Sequence, residues 1–252
     1  MSGDKHPTLL PGLKRLPSGR HQLSRDAVDA SQRQRILVAV LYATTELGYS
    51  ATTVADIVAM AAVSRSTFYA NFADKEACFV AAYEFAMNHV WDEVGEADKA
   101  LPGVGWRARL RTELTNYLDV LASEPALAKP LHVEVLAAGA VALEHRAEML
   151  GMLAARIAQL NEVARNEQPS LPELPPAAFA LYTGGLDELI RDRLRVGTPD
   201  DLRELASPVL DATYALFGAR GHRPLVPHVE RPPQADAPNS DIDQPTAVTE
   251  GA

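Results

Sequence analysis

Residues 52–79 read TTVADIVAMAAVSRSTFYANFADKEACF, and within them Val63 to Glu76, VSRSTFYANFADKE, decides the fold. Those fourteen residues hold a helix start at Ser64, two aromatic anchors at Phe68 and Phe72, and a second helix start at Asp74. Serine and aspartate start helices because their side-chain oxygens accept backbone amides that the first turn leaves unpaired. Just upstream, Thr52 or Thr53 is placed to cap a short helix with apolar positions Val54, Ile57, Val58 and Ala61. Helices of about eight residues are marginal alone and need tertiary support. Val54, Ile57, Val58, Val63, Phe68 and Phe72 supply it by packing on the preceding helix. Ser64, Arg65, Ser66, Thr67 and Tyr69 are then left facing outward near a helix N-terminus. Short hydroxyls, a guanidinium and a phenol suit docking in a major groove. Small side chains allow close approach, arginine reads guanine with two hydrogen bonds, and the helix end favours phosphate.

The pattern remains helical on both sides of this corner. Ile36, Leu37, Val40, Leu41, Thr44 and Leu47 recur at helical spacing from Arg25 onward, and Gly48 stands where a left-handed stop is expected. After Asp74 a long helix carries Cys78, Phe79, Ala82, Phe85, Ala86 and Val90 on one side. Further helical blocks are expected at about 105–123, 127–138, 141–166, 176–196 and 199–217, with Pro125, Pro130, Pro169, Pro172, Pro175 and Pro176 at the junctions. Thr198-Pro199-Asp200-Asp201 joins a cap, a first-turn proline and two carboxylates facing the positive end of the helix dipole. Pro208 lies inside the last block and should kink or split it. No alternating strand segment and no internal repeat occurs. The expectation is an all-α chain. It has an irregular basic arm over 1–25, a helix-turn-helix over 26–73, a helical second domain over 74–218 that opens with a connecting helix at 74–93, and a proline-rich disordered tail over 219–252.

Composition narrows the function. The 252 residues are 47% hydrophobic and 23% charged, as in soluble globular proteins, and no apolar run approaches the roughly 20 residues a bilayer demands. The N-terminus lacks an apolar signal core, which points to the cytoplasm. A single cysteine, Cys78, rules out intrachain disulfides and multi-cysteine metal clusters. On the apolar side of its helix it reads as a small buried hydrophobe, with a redox sensor as the alternative. The net charge of −9 argues against indiscriminate nucleic-acid binding, but its distribution is uneven. Residues 1–35 carry seven Lys and Arg against three Asp, a net +4, which leaves −13 on the remainder. A basic arm on an acidic body is either a solvated tail or a local phosphate contact.

The quoted stretch resembles the N-terminal helix-turn-helix of the TetR family of transcriptional regulators. The likeness runs from Arg33 to Tyr83 and includes Gly48, Thr53, Asp56-Ile57, Val63-Ser64, Thr67-Phe68-Tyr69, Phe72 and Lys75-Glu76. Three positions depart from the common pattern: Ala62 where the turn often has glycine, Ser66, and Asn71 where histidine is frequent. An alanine at the turn either adopts a left-handed conformation at roughly 1–2 kcal/mol or forces another turn geometry. The resemblance implies that Ser64, Arg65, Ser66 and Thr67 face bases or nearby phosphates, and that Tyr69 and Lys75 hold phosphates. Thr53 is either a pure cap or a cap that also touches phosphate, and Tyr69 could instead be a half-buried packing residue. Beside a docked duplex the arm gains weight, and Arg20, His21 and Arg25 are its candidate DNA contacts.

For the second domain the resemblance implies a cavity whose occupant shifts the fourth helix. Candidate lining residues are Trp106, Tyr117, His132 and Tyr182, each with plain core packing as the alternative. His132 and Glu134 are two apart, so they do not share a helix face and make a poor metal pair. No serine elbow, glycine-rich phosphate loop or supported carboxylate pair appears, so no enzyme activity, cofactor or metal is expected. The last helices carry Phe179, Leu186, Leu189, Ile190, Leu194, Leu205, Val209, Leu210, Leu216 and Phe217. In the family such helices join two subunits, and a two-fold dimer implies a palindromic operator on double-stranded DNA. Alternatively they cover the domain's own core. The sequence thus reads as a homodimeric repressor released by a small-molecule effector. The alternative is a helical ligand-binding protein or enzyme with a degenerate helix-turn-helix.

Overall fold

A computed structural model describes residues 25–99 and 103–218. Those residues form nine α-helices and no strand: α1 (Arg25–Leu47), α2 (Val54–Ala61), α3 (Arg65–Asn71), α4 (Lys75–Lys99), α5 (Trp106–Ser123), α6 (Pro125–His132), α7 (Ala140–Glu167), α8 (Pro176–Val196) and α9 (Ala206–Leu216). Single 3₁₀ segments follow α6 (Glu134–Ala137) and precede α9 (Pro199–Leu205). The fold is all-α, as the periodicity indicates. Arg20 and His21 of the arm, and the whole 219–252 tail, lie outside the described residues.

The first three helices form because each local signal agrees with the packing. Ile57, Phe68 and Phe72 are buried against α1, and burying a side chain such as Phe68 stabilises by about 1.5–3 kcal/mol. The α1 helix is buried more widely than one apolar face would require. Val38 and Ala39 are covered as well as Ile36, Leu37, Val40 and Leu41, because α2 and α4 are joined by α6 against this helix. Leu47, assigned to the same face by spacing, is half-exposed at the helix end.

Two junctions differ from expectation. Pro130 does not mark one but sits inside α6, where the buried Ala126, Leu127 and Leu131 hold the turn despite the missing donor. The block expected to begin at 127 begins at Pro125 and changes to a 3₁₀ turn after His132. The last block splits as Pro208 requires. Its first part is 3₁₀ to Leu205, and Pro208 falls in the first turn of α9, where no amide partner is needed. In α7 to α9 the inward faces carry Met149, Ile157, Leu160, Phe179, Ile190 and Leu210 into the core shared with α4 and α5.

Candidate nucleic-acid interface and the second-domain cavity

Thr53 caps α2: its Oγ1 accepts the Asp56 amide at 3.3 Å, and Asp56 Oδ2 accepts the Thr53 amide at 2.9 Å. The Thr53 hydroxyl also donates to Asp56 Oδ2 at 2.6 Å. These hydrogen bonds hold the Asp56 carboxyl below the usual carboxylate range. The helix ends at Ala62 in the left-handed conformation, φ 51° and ψ 48°, where its amide bonds back to the last turn. The turn therefore keeps the geometry glycine would favour and carries the strain of an alanine.

Ser64 then caps α3, with Oγ accepting the Thr67 amide at 3.0 Å. Its oxygen also lies 2.7 Å from Ser66 Oγ and 2.9 Å from Thr67 Oγ1, so the three hydroxyls form one cluster at the helix start. Arg65 and Tyr69 are exposed on the same helix, Tyr69 at 56%. Phe68, fully buried between them, touches the Tyr69 ring edge-on at 5.3 Å and Phe72 at 5.9 Å. Arg33 of α1 stacks its guanidinium over Phe72 at 4.5 Å and fixes the exit of α3. Asn71 donates to Thr67 O at 2.9 Å.

Lys75 is placed differently from a side chain reaching out for phosphate. Its Nζ donates to Tyr49 O at 2.7 Å and Thr52 O at 2.9 Å, and lies 4.1 Å from the centre of the Tyr49 ring. The ammonium thus pins the turn between α1 and α2. Asp74 caps α4 by accepting the Ala77 amide at 2.8 Å. Arg25 is the first residue of α1.

This arrangement of two short capped helices lies within a matching segment: residues 41–82 match the sequence profile of the bacterial regulatory proteins, tetR family. This segment is a TetR-type helix-turn-helix. No curated protein matches the chain in sequence. Among solved structures, it is similar to the transcriptional regulator FadR from Bacillus subtilis in complex with stearoyl-CoA, at 19% identity and TM-score 0.63, covering 71% of this chain and 96% of that one. The fatty acid degradation regulator FadR from Bacillus halodurans is similar at 21% identity and TM-score 0.64, covering 76% and 97%. A bacterial regulatory protein in the tetR family from Rhodococcus RHA1 follows at 18% identity and TM-score 0.59, covering 74% and 96%. At these identities the likeness is one of fold.

In its second domain, α4, α5, α7 and α8 surround a cavity of about 30 Å³, lined by Trp91, Leu110, Tyr117, Leu153, Arg156 and Tyr182 among others. Two of the four expected residues, Tyr117 and Tyr182, line it. Trp106 does not; it is core, packed against Tyr214 and Phe217 at ring separations of 5.7 Å. His132 stands behind Tyr117, with Nε2 3.3 Å from the tyrosine hydroxyl. Its Nδ1 donates to Asp187 Oδ1 at 2.7 Å, and Arg146 and Arg191 both donate to Asp187 Oδ2. Burial alone would raise the Asp187 pKa, but the hydrogen bonds and charges of His132 and Arg146 hold it below the ordinary value. Burial and the nearby Asp187 charge push the Tyr117 hydroxyl far up.

Arg156 meets the buried Glu113 with two bonds of 3.0 and 2.8 Å at the cavity wall. Trp91 Nε1 is buried there with no hydrogen-bond partner among the described residues. Asp187 stands out in the sequence as a polar residue among mostly aliphatic helices, but Glu113 and Arg156, which pair across 43 positions, leave no local pattern. Cys78 is fully buried, and burial raises its thiol to about 12, so it packs as a small neutral hydrophobe. Among the described residues no helix is long and apolar enough to cross a membrane.

Proposed function

We propose that the chain is a cytoplasmic repressor that binds a palindromic operator in double-stranded DNA as a homodimer and is released by a small molecule. The observation that carries this reading is the start of α3. Its cap is satisfied internally by Ser64 and Thr67, while Arg65 and Tyr69 stand exposed one helical turn apart. Such a surface has no packing role, and it fits a base-reading arginine beside a phosphate-holding tyrosine. Ser66 and the hydroxyls of Thr53, Ser64 and Thr67 add short polar contacts at the same end. Lys75 contributes charge there while it braces the turn.

Two features of the second domain support the rest. Leu181 and Leu189 are 78% and 47% exposed beside a groove of about 450 Å³ between α8 and α9, a face suited to a second copy of the chain. The cavity beside Tyr117 and Tyr182 holds little more than a water molecule. Entry of a larger, mostly apolar effector therefore requires the surrounding helices to part, which gives the effector a means of changing the DNA-binding end. An acceptor atom on it would satisfy Trp91 Nε1. The stearoyl-CoA bound by the Bacillus subtilis neighbour makes long-chain acyl-CoA the first class to test.

Footprinting on genomic fragments tests the regulator reading. Protection of an inverted repeat, lost in the Arg65→Ala/Tyr69→Ala double variant with unchanged thermal unfolding, is the expected result. Absence of specific protection on any fragment would overturn it in favour of a ligand-binding protein or enzyme with a vestigial helix-turn-helix.

A further inference from the structure

The turn between α1 and α2 is gripped from two sides. Lys75 of α4 holds the Tyr49 and Thr52 carbonyls, and from the second domain Glu134 Oε2 accepts the Tyr49 amide at 2.6 Å. Gly48 has φ +80°, its carbonyl accepts the Thr52 amide at 3.1 Å and the Thr52 hydroxyl at 2.8 Å, and Thr53, the next residue, caps α2. Glu134 sits 3.6 Å from where a Cβ on Gly48 would stand, so its carboxylate lies directly on the turn. Tyr49 itself is buried, with its ring edge-on to Phe79 of α4 at 5.0 Å.

Glu134 is also the second residue after His132, and His132 is the most heavily held residue of its segment. Asp187 of α8 accepts from its Nδ1, Tyr117 of α5 meets its Nε2, and Arg191 Nε donates to its carbonyl at 2.9 Å. Arg146 of α7 joins through Asp187. Tyr117 and Leu186, the neighbour of Asp187, both line the cavity. One short segment, His132-Val133-Glu134, therefore has one end in a buried polar network against the cavity and the other on the turn that starts α2.

We propose that Glu134 is a positioning residue for DNA recognition, transmitting the state of the Tyr117–His132–Asp187 network to the start of α2 through the Tyr49 amide. A shift of Tyr117 or α8 moves His132, the 3₁₀ turn follows, and the hydrogen bond that sets the α1–α2 turn lengthens. This route runs through α6 and the turn, and it acts in addition to any movement of α4. It rests on the reading of α3 as the DNA-facing helix only for its consequence, not for its mechanism.

The test uses amide hydrogen exchange at Tyr49 in the full chain, with operator affinity as a second arm. Glu134→Ala should speed Tyr49 exchange at least tenfold and weaken operator binding several-fold, with Glu134→Gln restoring most of both because its carbonyl oxygen still accepts the amide. Tyr117→Phe removes only the hydroxyl facing His132. It should speed Tyr49 exchange in the native background and have no further effect in Glu134→Ala. Unchanged Tyr49 exchange in Glu134→Ala, or an equal effect of Tyr117→Phe in both backgrounds, would overturn the proposal. If the native chain protects no DNA, the regulator reading fails, and the exchange measurements still decide the coupling.

Discussion

Ser64 Oγ accepts the Thr67 amide at 3.0 Å while touching the hydroxyls of Ser66 and Thr67, so the residue that opens α3 is engaged with its own helix. Its first contribution is to the order of a seven-residue helix that cannot persist alone. Ser64→Ala is expected to lower unfolding free energy by about 1 kcal/mol in urea titrations, the usual cost of losing an N-cap. Operator affinity should fall further than stability, because the side chains proposed to face bases ride on this turn. Full affinity in a destabilised Ser64→Ala protein would show that DNA itself can order α3.

Ala62 offers the opposite case. With φ 51° and ψ 48° it occupies a conformation that costs an L residue roughly 1–2 kcal/mol and glycine nothing. Glycine gives back part of that gain through greater freedom in the unfolded chain, roughly 0.4–1 kcal/mol. Ala62→Gly should therefore raise the urea midpoint by the equivalent of about 0.5–1 kcal/mol. A lower midpoint would mean that the turn relaxes to another geometry in solution.

How far the sequence carried can be read from these two residues. Ser64, Asp74 and Gly48 announced their roles because capping and left-handed stops depend on neighbours three or four positions away. The apolar spacing of α1 likewise marked the core, and the outward position of Arg65 and Tyr69 followed from where Phe68 had to point. Lys75 was visible as a charge but not as a brace, since its partners Tyr49 and Thr52 lie 26 and 23 positions back. Trp106 was placed in the cavity on residue type alone, yet an aromatic ring is equally at home against Tyr214 and Phe217. Tyr117, His132, Glu134 and Asp187 are visible in the sequence as polar residues among aliphatic helices, but their pairing is not: Glu134 meets Tyr49 across 85 positions and His132 meets Asp187 across 55.

That network has a pH signature. Asp187 is ionised in the folded state with a pKa below its ordinary value of 3.8, despite burial that acts in the other direction. Its contribution to stability is thus complete above the unfolded pKa and is lost as pH falls through the lower folded value. Asp187→Asn leaves Arg146 and Arg191 without their carboxylate and is expected to cost about 3 kcal/mol at pH 7. The gap between native and variant unfolding free energies should hold from pH 7 to about 5 and shrink below about 4. A gap independent of pH would mean that the carboxylate charge is not what stabilises the site.

The arm makes an ionic-strength prediction. Residues 1–24 hold Lys5, Lys14, Arg15 and Arg20 against Asp4 alone. If Arg20 and His21 follow phosphates beside the docked helices, deleting 1–24 should weaken operator binding. The log–log salt slope should fall by about 0.9 for each phosphate contact removed. Equal affinity and slope in the truncated chain would assign the arm to solvent.

On the proposed dimer reading, the α8–α9 face sets whether two copies of α3 are presented together. Leu181 and Leu189 are exposed along the groove that Pro208, Val209 and Ala212 complete from α9. An apolar ridge beside an apolar groove is self-complementary under a two-fold axis, because the ridge of one copy meets the groove of the other. Leu181→Glu/Leu189→Glu places two carboxylates per chain where each would be desolvated without a partner. Sedimentation should report a dimer for the native chain and a monomer for the variant. Far-ultraviolet dichroism should stay the same, since neither leucine belongs to the buried core. Operator affinity should fall at least a hundredfold, as binding then depends on one half-site. A variant that remains dimeric would move the interface elsewhere on the molecule, and a monomer that keeps full affinity would sever DNA recognition from two-fold symmetry.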